Sequence, residues 1–215
     1  KRNELFLFIL NGYVWKAVEI DKKRFIIHVQ RAEKGAIPLW QGSSQKTSFH
    51  IAQKILKILS SNDEYPYIDR DAKEKLQEYR TDFQYFGMKP GMMVIEEEPK
   101  GFTLHTFAGD EVNFTLALLL KHYTGAEVKS NYQKVKFNLE GYPSERLEQI
   151  LDQIKNNTSE DELLELVHYV GDIKIAKFQK YLPEFAEKCF LRERLFDLNL
   201  LKTFLNNCEI ELRTL

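Results

Sequence analysis

The sequence predicts an α+β fold: an antiparallel, partly closed β-sheet or barrel of hairpins with inserted helices, followed by a C-terminal helical bundle. Three observations carry this. Short apolar runs flank turn signals at Asn11-Gly12, Pro99-Lys100-Gly101 and Ser130-Asn131, and Asn-Gly suits the positive φ angles of a tight hairpin. Between the hairpins, apolar residues recur at helical spacing. Beyond Gly141 the pattern turns wholly helical. The chain therefore divides into residues 1–140, a mixed β subdomain with inserted helices, and 141–215, a helical subdomain.

The opening reads as a three-stranded meander: Phe6–Leu10, Tyr13–Ile20 and Phe25–Val29, with Asp21-Lys22-Lys23-Arg24 as its second turn. A loop punctuated by Gly35, Pro38, Trp40 and Gly42 follows. Phe49, Ala52, Ile55, Leu56 and Leu59 then fall on one helical face, with Thr47 or Ser48 as N-cap. A charged helix capped by Asp69 runs from about Arg70 to Tyr85, its apolar face formed by Leu76, Tyr79, Phe83 and Phe86. Met92–Glu96 and Phe102–Phe107 make a second hairpin. Gly109 breaks the strand, and Asp110 is placed to cap a helix over Val112–Tyr123. That helix is apolar nearly all round, so burial is expected. Gly125 ends it, and Val128–Leu139 holds the last hairpin. Further helices begin at Ser144, at Ser159 with Glu162 as a capping box, at Pro183 and at Asp197.

The 215 residues carry net charge −1, 43% hydrophobic and 29% charged, the balance of an ordinary globular protein. Two cysteines, Cys189 and Cys208, are too few for a disulfide framework and suit a reducing, cytoplasmic setting. No apolar run is long enough to span a membrane, so no membrane partner is expected. The first residue is Lys1, which leads us to expect a segment of a longer polypeptide. Residues 141–215 hold ten Lys and Arg against fourteen Asp and Glu, leaving the first part mildly basic. This falls far short of the basic stripe of a self-sufficient nucleic-acid binder.

Catalytic chemistry is not visible. There is no phosphate-binding loop and no G-x-G-x-x-G. Asp110-Glu111 and Asp161-Glu162 open helices, where the dipole favours carboxylates. His28, His50, His105, His122 and His168 are scattered, so neither a metal site nor catalytic residues are expected. Glu96-Glu97-Glu98 alternates across a strand, a poor arrangement for paired acid and base.

The stretch GFTLHTFAGDEVNFTLALLL, from Gly101, is a strand, a glycine turn and a buried helix. Asn113 is placed to reach back to the Thr106–Gly109 corner. This stretch resembles the HT-x-x-G-x-x-VN corner of the large helicase-related family of DEAD/DEAH-box ATP-dependent helicases. Three further passages resemble that family in the same order: Phe8, Gly12 and Trp15 with KAVEID; GAIPLWQGSSQKTSFHIAQKI; and AKFQKYLPEFAEKCFLRERLFD. Together they span about residues 6 to 204. Family members carry two motor domains, a winged helix and an additional domain, and the chain resembles only the last.

The resemblance implies an accessory nucleic-acid-binding and scaffolding domain of a superfamily-2 helicase that moves 3′ to 5′ on single-stranded DNA. ATP and Mg²⁺ would belong to the motor of the parent protein, with no cofactor in this segment. The implied partners are single-stranded nucleic acid, most naturally DNA, and the motor and winged-helix domains. Candidate nucleic-acid contacts are Trp40, in the Gly/Pro loop, the meander residues Lys16, Lys22, Lys23 and Arg24, and His105 and Thr106 beside the corner. Trp15 is expected in the core, and Lys129, Lys134 and Lys136 are expected to be solvated. Gly109, Asp110 and Asn113 form the structural corner. The competing reading is a protein-interaction module of a helicase or defence complex, which the near-neutral charge suits.

Overall fold

The computed structural model describes residues 7–10, 13–21, 23–24, 26–32, 46–167, 175–176 and 179–214. It is a mixed α/β structure forming two compact units, residues 1–45 and 46–215.

The first unit holds the meander β1 (Leu7–Leu10), β2 (Tyr13–Asp21) and β3 (Ile26–Arg31), antiparallel in the order β1-β2-β3. The register sets Trp15 opposite Arg31, Ala17 opposite Val29 and Ile20 opposite Ile27, and a bulge between Ala17 and Glu19 absorbs Val18. One face thus gathers apolar positions and the other carries Lys16, Glu19, His28 and Gln30. Asp21 builds the β2–β3 turn by accepting the N–H groups of Lys23 and Arg24 at 2.9 and 3.0 Å.

In the second unit, α1 (Phe49–Ser60) and α2 (Arg70–Phe86) precede the hairpin β4 (Met92–Glu98) and β5 (Gly101–His105). Then come α3 (Gly109–Thr124), β6 (Glu127–Ser130), β7 (Lys134–Asn138), α4 (Ser144–Asn156) and α5 (Glu160–Leu166). A short 3-10 turn, α6 (Glu184–Leu195), α7 (Leu198–Asn207) and β8 (Glu209–Thr214) complete it. The strands form one sheet in the order β6-β7-β5-β4-β8.

Helix α3 organises this unit. One side packs on the sheet face formed by Met93, Ile95, Phe102, Leu104, Val135 and Phe137. Around the rest lie Leu147, Ile150 and Ile154 of α4, Leu163 of α5, Leu191 of α6, and Leu201 and Phe204 of α7. A helix held between a sheet and a second helical layer must be apolar nearly all round, as expected from Val112 to Leu120. Phe102 stacks on Phe137 across β5 and β7, with ring centroids 5.3 Å apart.

On the opposite sheet face, a smaller cluster of Leu56, Met88, Val94 and Phe107 is closed by Phe83 and Phe86 of α2. Arg80, buried in α2, donates to the carbonyls of Ile58 and Asp63 at 3.0 Å each and so fastens the α1–α2 connection.

Several expectations need correction. The five-stranded sheet is mixed, because β8 runs parallel to β4, with Val94 opposite Glu211 and Ile95 opposite Leu212. Neither sheet closes into a barrel among the described residues, since β6 and β8 are left as edges. Among the described residues, the helices after Ser144 wrap α3 and share its core, and a separate C-terminal bundle is not shown. The two compact units divide at 45/46, a separate matter from the change of pattern at 140/141 in the sequence, which falls within the second unit. Tyr79 does not join the apolar face of α2. It is 55% exposed, with the Lys75 ammonium 5.7 Å from its ring centre.

Candidate functional site

The corner between β5 and α3 is held by a dense set of hydrogen bonds. Gly109 turns the chain with φ +82°, and an added Cβ there would lie 2.6 Å from the Phe49 nitrogen and 2.9 Å from the Thr47 oxygen. Only glycine lets the starts of α1 and α3 approach this closely. Asp110 exploits the approach: its carboxylate accepts the Thr47 N–H at 2.7 Å while its own N–H donates to the Thr47 carbonyl at 2.9 Å. Asp110 therefore sits in the first turn of α3 and does not cap it; its carboxylate is committed to Thr47 in the segment leading into α1.

Thr106 and Asn113 are both wholly buried. The Thr106 hydroxyl donates to Asn113 Oδ1 at 2.7 Å and accepts the Ala108 N–H at 3.2 Å. Asn113 Nδ2 donates to the Asn131 carbonyl at 2.7 Å. Asn113 thus bridges to the β6–β7 turn, one element further than the sequence suggested. The Gln133 carbonyl accepts the N–H groups of Thr106 and Phe107 at 2.9 and 2.8 Å, and Gln53 of α1 donates to the Phe107 carbonyl at 2.9 Å. Phe107 itself adopts φ +48°, a conformation unusual for a bulky residue and held here by the surrounding bonds. Among the described residues no buried side-chain polar atom lacks a partner.

His105 lies on the other sheet face. Its Nε2 lies 2.8 Å from Glu96 Oε2 across the hairpin and, a carboxylate being an acceptor, donates to it, while the ring packs 4.5 Å from the Phe86 ring centre. Burial holds the imidazole below its ordinary pKa; the Glu96 carboxylate opposes this, and the Lys134 and Arg213 charges add to it. Beside it, Lys136 Nζ donates to Glu98 at 2.6 Å and Thr103 donates to the other oxygen of that carboxylate at 2.5 Å. The Lys136 bond, with that from Thr103, holds Glu98 below the usual carboxylate range. This face is a lattice of paired charges, with Lys129 also joined to Glu127 at 3.2 Å.

The structure brings His105, Thr106, Gly109, Asp110 and Asn113 to the corner and its border. Thr106 has no surface to offer a ligand, and His105 is committed to Glu96. Lys16, Lys23 and Arg24 are exposed in the other unit, and Arg24 lies 3.9 Å from Asp21. Trp40 and Lys22 lie outside the described residues, and Trp15 is half-buried on β2. The sequence reading missed Thr47, Gln53, Asn131 and Gln133 as parts of the corner. No local pattern marks them, because each meets the corner from a distant element.

Among the described residues, no group of three or more His, Cys, Asp or Glu is arranged to hold a metal ion. A cleft of about 270 Å³ beside α2 is lined by Asp63, Glu64, Tyr65, Lys73, Gln77 and Arg80, but Arg80 is already spent on carbonyls. No helix among the described residues is long and apolar enough to cross a membrane. Comparison with protein-family models, with curated proteins and with solved structures returns no match.

Proposed function

We propose that the chain is an accessory nucleic-acid-binding and scaffolding domain of an ATP-dependent superfamily-2 helicase of the cytoplasm. On this reading the motor and winged-helix domains of the same polypeptide are its neighbours, and ATP and Mg²⁺ are bound by the motor. The observation that carries the reading is the corner. The residues by which the sequence resembles the helicase family, Thr106, Gly109 and Asn113, converge in one buried, hydrogen-bonded knot that ties β5, α1, α3 and the β6–β7 turn together. Such a knot suits a rigid support. It leaves strand contact to the exposed cations of the meander, Lys16, Lys23 and Arg24, and to Lys22 and Trp40.

A salt titration of single-stranded DNA binding, followed by fluorescence anisotropy, tests the proposal. Three neutralised phosphates give a slope of log affinity against log salt of about −2. Reversing the charges of Lys16, Lys23 and Arg24 together is expected to remove that slope. Absence of binding at low salt, or binding that ignores both salt and the charge reversal, overturns the assignment.

One observation favours the protein-interaction reading. Tyr13, Ile27 and Val29, on one face of the meander, are 47%, 45% and 39% exposed, apolar surface of the kind that marks interaction sites when contiguous. Salt-insensitive association with another protein and no DNA binding is the outcome that reading expects.

A further inference from the structure

Among the described residues, the five-stranded sheet ends at β8, which pairs with β4 on one side. Edge strands are commonly blunted by charged side chains, above all Lys, or by Pro or a bulge; β8 has charges of both signs, Glu209, Glu211 and Arg213, which an antiparallel copy of itself can pair. The other edge, β6, carries Lys129, whereas β8 reads Glu-Ile-Glu-Leu-Arg-Thr from Glu209 to Thr214 and has neither Lys nor Pro nor a bulge. Ile210 and Leu212 share a sheet face with Met93 and Ile95 but lie beyond the helices, 42% and 41% exposed. Glu211 and Arg213 lie on the opposite face. Arg213 bonds Glu211 at 2.8 Å and the Phe86 carbonyl at 2.5 Å, which fixes its guanidinium beside the sheet.

We infer that β8 is a self-complementary edge and that its occupant is β8 of a second copy of this chain, antiparallel about a two-fold axis through Leu212. The period of two in a strand dictates which pairs meet. In this register Leu212 faces the partner's Leu212, Ile210 faces the partner's Thr214, and Glu211 faces the partner's Arg213. The two-fold repeats the last pair in reverse, so two Glu and two Arg form an alternating square on one face while the leucines close on the other. Moving the axis to Glu211 would set two carboxylates against each other, and like charges directly opposite destabilise a sheet. The Leu212 register is thus the one in which charge and apolar surface agree. It converts two five-stranded sheets into one continuous sheet and forms the closed, isologous contact expected of a dimer. A six-residue edge buries little area, so the dimer is a weak one whose population rises with concentration.

Sedimentation velocity of the 215-residue chain over a wide concentration series tests this. The expected result is a shift from the 25.4 kDa monomer toward twice that mass. Leu212→Lys, at an exposed position, sets two ammonium groups on the axis and is expected to weaken association about tenfold or more. Glu211→Arg is expected to do the same by opposing Arg213 of the partner subunit, and adding Arg213→Glu restores the pairing and the dimer. Far-UV circular dichroism and the denaturation midpoint verify that each variant is folded. A chain that stays monomeric throughout, or a dimer indifferent to Leu212→Lys and Glu211→Arg, overturns the inference. So does a double variant that folds but is no stronger a dimer than Glu211→Arg alone.

Discussion

Replacing Asn113 with Ala asks how much the corner contributes. The substitution removes a wholly buried side chain and both of its bonds, one accepted from Thr106 and one donated to Asn131. An orphaned buried polar group costs about 1–3 kcal/mol, but relief is available to both partners. The Thr106 hydroxyl has a second acceptor, the Gln133 carbonyl, at 3.3 Å. Asn131 is exposed, so its carbonyl can recruit water. The void left by the amide remains. Together these give a loss of about 2–4 kcal/mol, which lowers Tm on the order of 10 °C for a chain of this size. Urea denaturation followed by far-UV circular dichroism, which sees the helices of the second unit, measures it, with Asn199→Ala on the exposed face of α7 as a control near zero. A loss for Asn113→Ala no larger than that of the control refutes the claim that this knot holds the sheet and α3 together.

Two glycines of similar backbone conformation separate strain from collision. Gly125 has φ +69° with nothing within 4 Å of an added Cβ, whereas Gly109 meets backbone atoms on its α1 side. Gly125→Ala is therefore expected to cost about 1 kcal/mol, and Gly109→Ala clearly more in the same urea experiment. Thr115→Val leaves the Asp197 N–H without its 3.0 Å acceptor where α7 begins, with an expected loss of about 1–3 kcal/mol. For pH, the fold prefers the neutral His105 ring because burial lowers its pKa against Glu96. The unfolded chain takes up that proton more readily. Stability from this group is thus full above about pH 6.5 and declines as pH falls through the lower folded value. His105→Gln is expected to flatten the stability profile between about pH 7.5 and 5.5, read as denaturation midpoints. Glu98, held low by Lys136 and Thr103, adds its loss only at more acidic pH.

The local elements were legible because their signals are local. Ser48, Asp69, Ser159 and Asp197 cap the helices they precede, each accepting the N–H three residues on. Glu162, however, spends its carboxylate on Tyr123 at 2.7 Å, leaving the expected box at Ser159 half made. Strand β8 escaped although Glu209–Thr214 alternates polar and apolar residues. Its partner β4 lies more than a hundred residues upstream, and no short-range rule selects a parallel neighbour across such a span. The corner divided in the same way. Gly109 and Asn113 announce a turn and a reach-back within a few residues, while Gln53 and Gln133 arrive through tertiary packing. Thr106 and His105 drew attention because they sit beside a conspicuous turn; the burial of the first is decided by distant elements, whereas Glu96 reaches the second across the β4–β5 hairpin, whose register the turn signal alone does not fix.

The division of labour between meander and corner is tested most directly by amide hydrogen exchange of the 215-residue chain with and without saturating single-stranded DNA at low salt. The expected result is slowed exchange in β2, β3 and the turn carrying Lys23 and Arg24, with the Thr106–Asn113 segment unchanged because it is already locked. Protection that appears in Thr106–Asn113, or a meander that stays unprotected while DNA is bound, contradicts the account.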